Sequence, residues 1–70
     1  MSKWSKLSNP DRRLIRRAGI TAADLRGVSA IGFNPAGGGI NNSGISLLAS
    51  DGDAEEFMRE APVSRSVIFI

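Results

Sequence analysis

The chemistry this chain carries is concentrated in its cations. Arg12, Arg13, Arg16 and Arg17 form two pairs spaced four residues apart, which a helix turns into neighbouring stripes along one flank. Guanidinium groups hold carboxylates and phosphates through parallel hydrogen bonds, so the cluster suits an acidic protein surface or a nucleic-acid backbone. Lys3 and Lys6 extend the patch, and Trp4 between them offers a stacking face. The blander alternatives are a solvated helix face whose arginine stems cover apolar surface, and a Trp4 that plugs the core.

Catalytic chemistry is poorly supplied. The 70 residues include no His, Cys or Tyr, so the commonest general base and the strongest nucleophile are missing. The same deficit removes the usual ligands of zinc, copper and iron and leaves only an all-oxygen site for a hard cation. Asp51, Asp53, Glu55 and Glu56 are loosely calcium-like, but they read better as carboxylates stabilising a helix N-terminus; an acidic patch for a basic partner is the weaker alternative. So short a chain also has little room to enclose a substrate pocket. The expectation is a protein that is not an enzyme, holds no metal and no cofactor, and acts by contact.

A glycine-rich stretch invites comparison with phosphate cradles. Gly39 and Gly44 have P-loop spacing, but Ile45 stands where lysine belongs. The dinucleotide pattern fails because Asn42 occupies the third glycine position after Gly37 and Gly39. Asn34-Pro35-Ala36-Gly37-Gly38-Gly39 and Asn41-Asn42-Ser43-Gly44 are instead turn signals, and they predict a long, mobile hairpin loop whose tip, with Asn34, Asn41 and Asn42, is a candidate contact surface. Asn41-Asn42-Ser43 also matches a glycosylation sequon, which is set aside because no secretory signal is visible.

Charge is unevenly distributed. Residues 1–27 hold seven cations against two anions, a net of +5, whereas residues 28–70 hold two against five, a net of −3. An anionic partner for the first half is one explanation. Mutual attraction of the halves, within one chain or across a dimer, is the other and the favoured one.

The elements that must position these residues emerge from local signals. Residues 1–8 read as an arm and 9–70 as one small domain. Asn9-Pro10 predicts a helix N-cap and first position, with the helix over about 10–18, Leu14 and Ala18 on its core face, and Gly19 as its stop. Thr21 and Asp24 approximate a capping box for a second short helix, ended by Gly27. Strands are predicted over 28–33, with Ile31 and Phe33 sharing a face, and over 45–49. Asp53-Ala54-Glu55-Glu56 predicts a third helix running to about Ala61, with Phe57, Met58 and Ala61 toward the core and Pro62 as its stop. Val67 to Ile70 read as a strand covered on both faces. Core membership is its favoured fate; a free edge pairing with a second chain is the alternative.

The order α-α-β-β-α-β predicts an α+β fold: a small, mostly antiparallel three-stranded sheet with helices packed on one face. The link from the second strand through the third helix to the last strand predicts a parallel crossover. No run of apolar residues is long enough to span a membrane, and the lack of cysteine fits a reducing cytoplasm.

Residues 15–25, Ile15-Arg16-Arg17-Ala18-Gly19-Ile20-Thr21-Ala22-Ala23-Asp24-Leu25, resemble the first two helices of repressor-type helix-turn-helix domains. The likeness spans about a dozen residues. A glycine-rich loop replaces the recognition helix, and without that helix nothing reads the major groove; the chain is not assigned to that family.

Function is expected to be protein interaction. Tiny proteins without catalytic residues are typical of phage and mobile-element accessory genes, many of which block a larger host complex, such as a CRISPR defence or transcription assembly, by occluding a surface. A basic nucleic-acid-binding accessory protein is the second expectation, and a small virion or assembly component the third. A homodimer through the C-terminal strand is the expected self-association.

Overall fold

A computed structural model describes residues 3–60 and 64–70. The α+β class, the three-stranded antiparallel sheet and the element order are those expected from sequence.

The first helix, α1, spans Asn9–Arg17. Its cap is Ser8 rather than Asn9: the Ser8 hydroxyl accepts from the Asp11 N–H at 3.3 Å and donates to the Asp11 carboxylate at 2.8 Å. A Ser-x-x-Asp pairing uses both side chains at the helix end, and Pro10 falls in the first turn, where its missing N–H costs nothing. At the other end Gly19 takes a φ of +81°. The Gly19 N–H donates to the Arg16 carbonyl and the Ile20 N–H to the Ile15 carbonyl. This is a Schellman closure, and Ile15 and Ile20 are buried in the same core cluster.

The segment after α1 is shorter than expected. Ala22–Leu25 is a single 3-10 turn whose Asp24 carboxylate accepts from the Thr21 N–H at 2.9 Å. Gly27, at a φ of +73°, turns the chain toward the sheet before a second α-helix can extend. The helix-turn-helix resemblance ends there.

The strands are β1 (Ala30–Phe33), β2 (Ile45–Leu48) and β3 (Ser66–Phe69), in the spatial order β2-β1-β3. Both outer strands run antiparallel to β1 and so parallel to each other. The second helix, α2 (Asp51–Arg59), carries the chain between them across β1, so the crossover joins parallel strands that are not neighbours. Ser50 caps α2, accepting from the Asp53 N–H at 3.1 Å, and the helix starts two residues before the Asp53 cap read from sequence. Ala61 and Pro62, given roles in ending this helix, lie outside the described residues.

Three expectations are corrected. The C-terminal strand is an edge, not a strand covered on both faces, and Phe69 is 62% exposed. The central place belongs to β1, whose Ala30 and Ile31 are fully buried on opposite faces. Within the expected arm, residues 3–8 are held to the domain: Lys3–Lys6 form a 3-10 turn, Leu7 is buried and Trp4 packs on the core. And the helices divide between the two faces. α2 presses Ala54 and Phe57 onto Ala30, Leu48 and Val67, whereas the N-terminal segments pack Leu7, Ile15 and Leu25 with Ile31 and Ile45. The cause is the period of two along β1: Ala30 and Gly32 face one way, Ile31 and Phe33 the other.

Of the apolar residues read as facing the core, Ala18 and Phe57 do so, whereas Leu14 and Met58 do not. Ile15 is buried while Leu14 is exposed, and Phe57 is buried while Met58 is half exposed. The inward stripes are Ile15 with Ala18 on α1, and Ala54 with Phe57 on α2, each three residues apart.

Candidate interaction surface

The basic residues sort into two sets once their bonds are traced. Arg12 is turned inward along the chain: its Nε donates to the Trp4 carbonyl at 3.2 Å, one terminal nitrogen to the Ser5 carbonyl at 3.1 Å, and the other to Asn9 Oδ1 at 3.4 Å. It clamps the 3-10 turn of residues 3–6 onto α1. Lys3 is spent in the same way, its ammonium donating to the Val28 carbonyl. These two residues build the scaffold.

Lys6, Arg13, Arg16 and Arg17 are exposed. The Arg16 guanidinium lies over the Trp4 ring, 5.4 Å from its centroid, so the half-buried indole supports a cation as well as filling the core edge. The only ion pair among the described residues is Arg65–Glu60 at 3.0 Å, far along the chain from this patch. The acidic residues Asp51, Asp53, Glu55 and Glu56 sit on α2, which covers the opposite face of the sheet from α1. The two charged halves are therefore held apart by the sheet, and the favoured neutralisation of one half by the other does not occur within the described chain.

The loop joining β1 to β2 is folded rather than slack. The Asn34 N–H donates to the Gly44 carbonyl and the Gly44 N–H to the Gly38 carbonyl, both at 2.7 Å. Asn34 Oδ1 accepts from the Ala36 N–H at 3.0 Å, and a short 3-10 turn forms over Ile40–Asn42. Asn41 takes a left-handed φ of 51° and its amide donates to the Ala18 carbonyl at 2.6 Å. That bond ties the loop to the last turn of α1, where a carbonyl lacks a helical partner. Gly39 and Gly44 are required by close approach: a Cβ on either would sit 2.3 Å from a backbone carbonyl oxygen. Of the three asparagines singled out from sequence, Asn34 and Asn41 are structural and Asn42 is exposed.

Docking the loop on α1 joins the two candidate contact surfaces into one. Between them runs a groove of about 330 Å³ lined by Leu14 and Arg17 of α1, Phe33 and Ile45 of the sheet, and Asn41 and Ser43 of the loop. Leu14 is 46% exposed at its lip, and Arg13 and Arg17 flank that leucine on a second, shallower hollow. Sequence reasoning placed the arginines here but assigned Leu14 to the core and gave Phe33 no part in a surface. The available signal was faint: two large apolar residues, Leu14 and Ile15, sit side by side on a short helix that can bury only one stripe.

Among the described residues no three acidic side chains converge on a metal position, and no helix is long and apolar enough to cross a membrane. Comparison with known protein families, with curated proteins and with solved structures yields no match.

Proposed function

We propose that this chain works by contact rather than catalysis, docking through the α1–loop groove onto an acidic surface of a larger protein complex in the cytoplasm and occluding that surface. The observation that carries the reading is the juxtaposition of exposed Leu14 with Arg13 and Arg17, neither arginine being paired to a carboxylate among the described residues. An apolar anchor ringed by cations is the composition of a protein hot spot, where Arg and large apolar groups dominate the binding energy. A phosphate backbone would leave Leu14 and the Phe33 groove uncovered.

Affinity capture from cells that contain the partner tests this, comparing the native chain with Leu14→Asp and with the Arg13→Glu/Arg17→Glu double variant. The expected outcome is a protein retained by the native chain through high salt and lost with either variant. Equal capture of the same proteins by all three chains refutes it. The second reading, nucleic-acid binding, rests on four exposed cations of the N-terminal patch, Lys6, Arg13, Arg16 and Arg17. It requires a steep salt dependence, with a logarithmic slope of about −3 to −4 for four phosphate contacts, and affinity that Leu14→Asp leaves unchanged.

A further inference from the structure

Among the described residues no strand pairs with the outer edge of β3. The Ile70 N–H donates to the Ser29 carbonyl at 3.0 Å, and with the β1–β3 register this makes Ile31–Ile68 and Phe33–Ser66 the mutually bonded pairs of the ladder. Ser66, Ile68 and Ile70 therefore aim their backbone groups at β1. Val67 and Phe69 aim theirs outward. Next to this edge lies a groove of about 450 Å³ with an apolar floor of Val67, Phe69 and Met58, and with Glu55 and Arg59 on its helical wall. Phe69 and Met58 are 62% and 50% exposed.

We propose that a second copy of this chain occupies the edge, the two β3 strands pairing antiparallel about a two-fold axis to form one six-stranded sheet. In the pairing that uses every outward backbone group of the strand, Val67 bonds reciprocally with Phe69 of the partner subunit, and Ile68 stands opposite Ile68 of the partner subunit.

Self-complementarity selects this occupant. A two-fold contact requires that one patch match itself, and this patch does so in three ways. Its outward N–H and C=O groups are a palindromic set, Val67 against Phe69 and Phe69 against Val67. Its side chains then pair as an aromatic with a β-branched residue, a favourable cross-strand combination. Its charges match too. The pairing keeps both α2 helices on the same face, antiparallel, with the helices about 14 Å apart across three strand spacings. Met58 and Phe69 fill that gap, and Glu55 of each helix faces Arg59 of the partner subunit. An unrelated extended peptide would satisfy the backbone but not the Glu55–Arg59 alternation. The same geometry places both α1 surfaces on the opposite common face, so the dimer would present the basic groove twice.

Sedimentation of the full chain over micromolar to millimolar concentrations tests this. The expected mass is twice the 7.4 kDa of one chain. Phe69→Lys is expected to sediment as a folded monomer, because its side chain is largely exposed and circular dichroism should be unchanged. Glu55→Arg should weaken association at least tenfold, and adding Arg59→Glu should restore it. The chain lacks cysteine, so Ile68→Cys gives a unique thiol. Unbonded antiparallel pairs bring Cα atoms to about 4.5 Å, within disulfide reach. Mild oxidation is expected to yield a covalent dimer from Ile68→Cys and none from Ser66→Cys. A chain that stays monomeric at millimolar concentration overturns the proposal. So does a dimer that persists in folded Phe69→Lys, or an Ile68→Cys that does not crosslink while remaining folded.

Discussion

Gly32→Ala tests the packing of α2 on the sheet. Gly32 lies in the central strand β1, on the face covered by α2. A Cβ built there would sit 2.7 Å from the Cε2 and Cζ atoms of Phe57 and 3.0 Å from Cδ2, whereas carbon atoms rest at about 3.5–4.0 Å. The ring cannot easily retreat. It is only 9% exposed, packed against Ala30, Leu48 and Ala54, and the Arg65 guanidinium lies over it at 4.6 Å while bonding the Phe57 carbonyl at 3.2 Å. Two effects compete. Alanine reduces the freedom of the unfolded chain and favours folding by about 0.5–1 kcal/mol. Overpacking costs about 1–3 kcal/mol, and an overlap of about 0.8–1.3 Å places this site in the upper part of that range. The net expectation is a loss of about 1–2 kcal/mol. For a domain of this size that lowers the melting temperature by roughly 5–15 °C. Thermal denaturation followed by circular dichroism measures it. Phe57→Leu in the Gly32→Ala background is expected to recover part of the loss, giving a coupling of about 1 kcal/mol. A Gly32→Ala chain that melts at or above the parent temperature would refute the claim that β1 is held against Phe57 by the absence of a side chain.

Other perturbations separate scaffold from surface. Ile15→Ala should cost about 2–5 kcal/mol because the side chain is fully buried, while Leu14→Ala should change stability by no more than about 0.5 kcal/mol and weaken partner capture; chemical denaturation and a binding assay report the two. Arg12→Ala removes two hydrogen bonds that dock the 3-10 turn on α1 and a third within α1 to Asn9, and is expected to destabilise by about 1–2 kcal/mol with a red shift of Trp4 fluorescence. Arg13→Ala, lacking such bonds, should shift neither. Asn41→Ala loses both the bond to the Ala18 carbonyl and a residue type that tolerates its left-handed backbone, an expected loss of about 1–3 kcal/mol measurable by denaturant unfolding; Asn41→Asp, which cannot donate, should lose a similar amount.

What the sequence determined by itself is local. The start and stop of α1 and the start of α2 are written in Ser8, Pro10, Gly19 and Ser50, residues that act on backbone groups within a few positions of themselves. The strands are short runs rich in apolar residues, set off by turn signals such as Asn34-Pro35 and Gly44 or, for the last, following Pro62 in sequence. The order of elements and the number of strands therefore emerged before any contact was known, with errors of one and three residues at the caps because Ser8 and Asn9, or Ser50 and Asp53, are both competent. The lack of His, Cys and Tyr likewise limits the chemistry whatever the fold.

The tertiary structure decided every choice between near-equals. Leu14 and Ile15, or Phe57 and Met58, are interchangeable to local propensity, and only the direction from which the sheet approaches selects Ile15 and Phe57 for burial. The last strand has the most continuous apolar run, yet β1 took the centre because Ala30 and Gly32 let α2 come close while Ile31 filled the other side. The basic cluster looked uniform until Arg12 and Lys3 found carbonyls to bond, leaving Lys6, Arg13, Arg16 and Arg17 to solvent. Such outcomes depend on partners many residues away: capping and periodicity act within a turn, whereas burial and pairing are settled by which distant surface arrives.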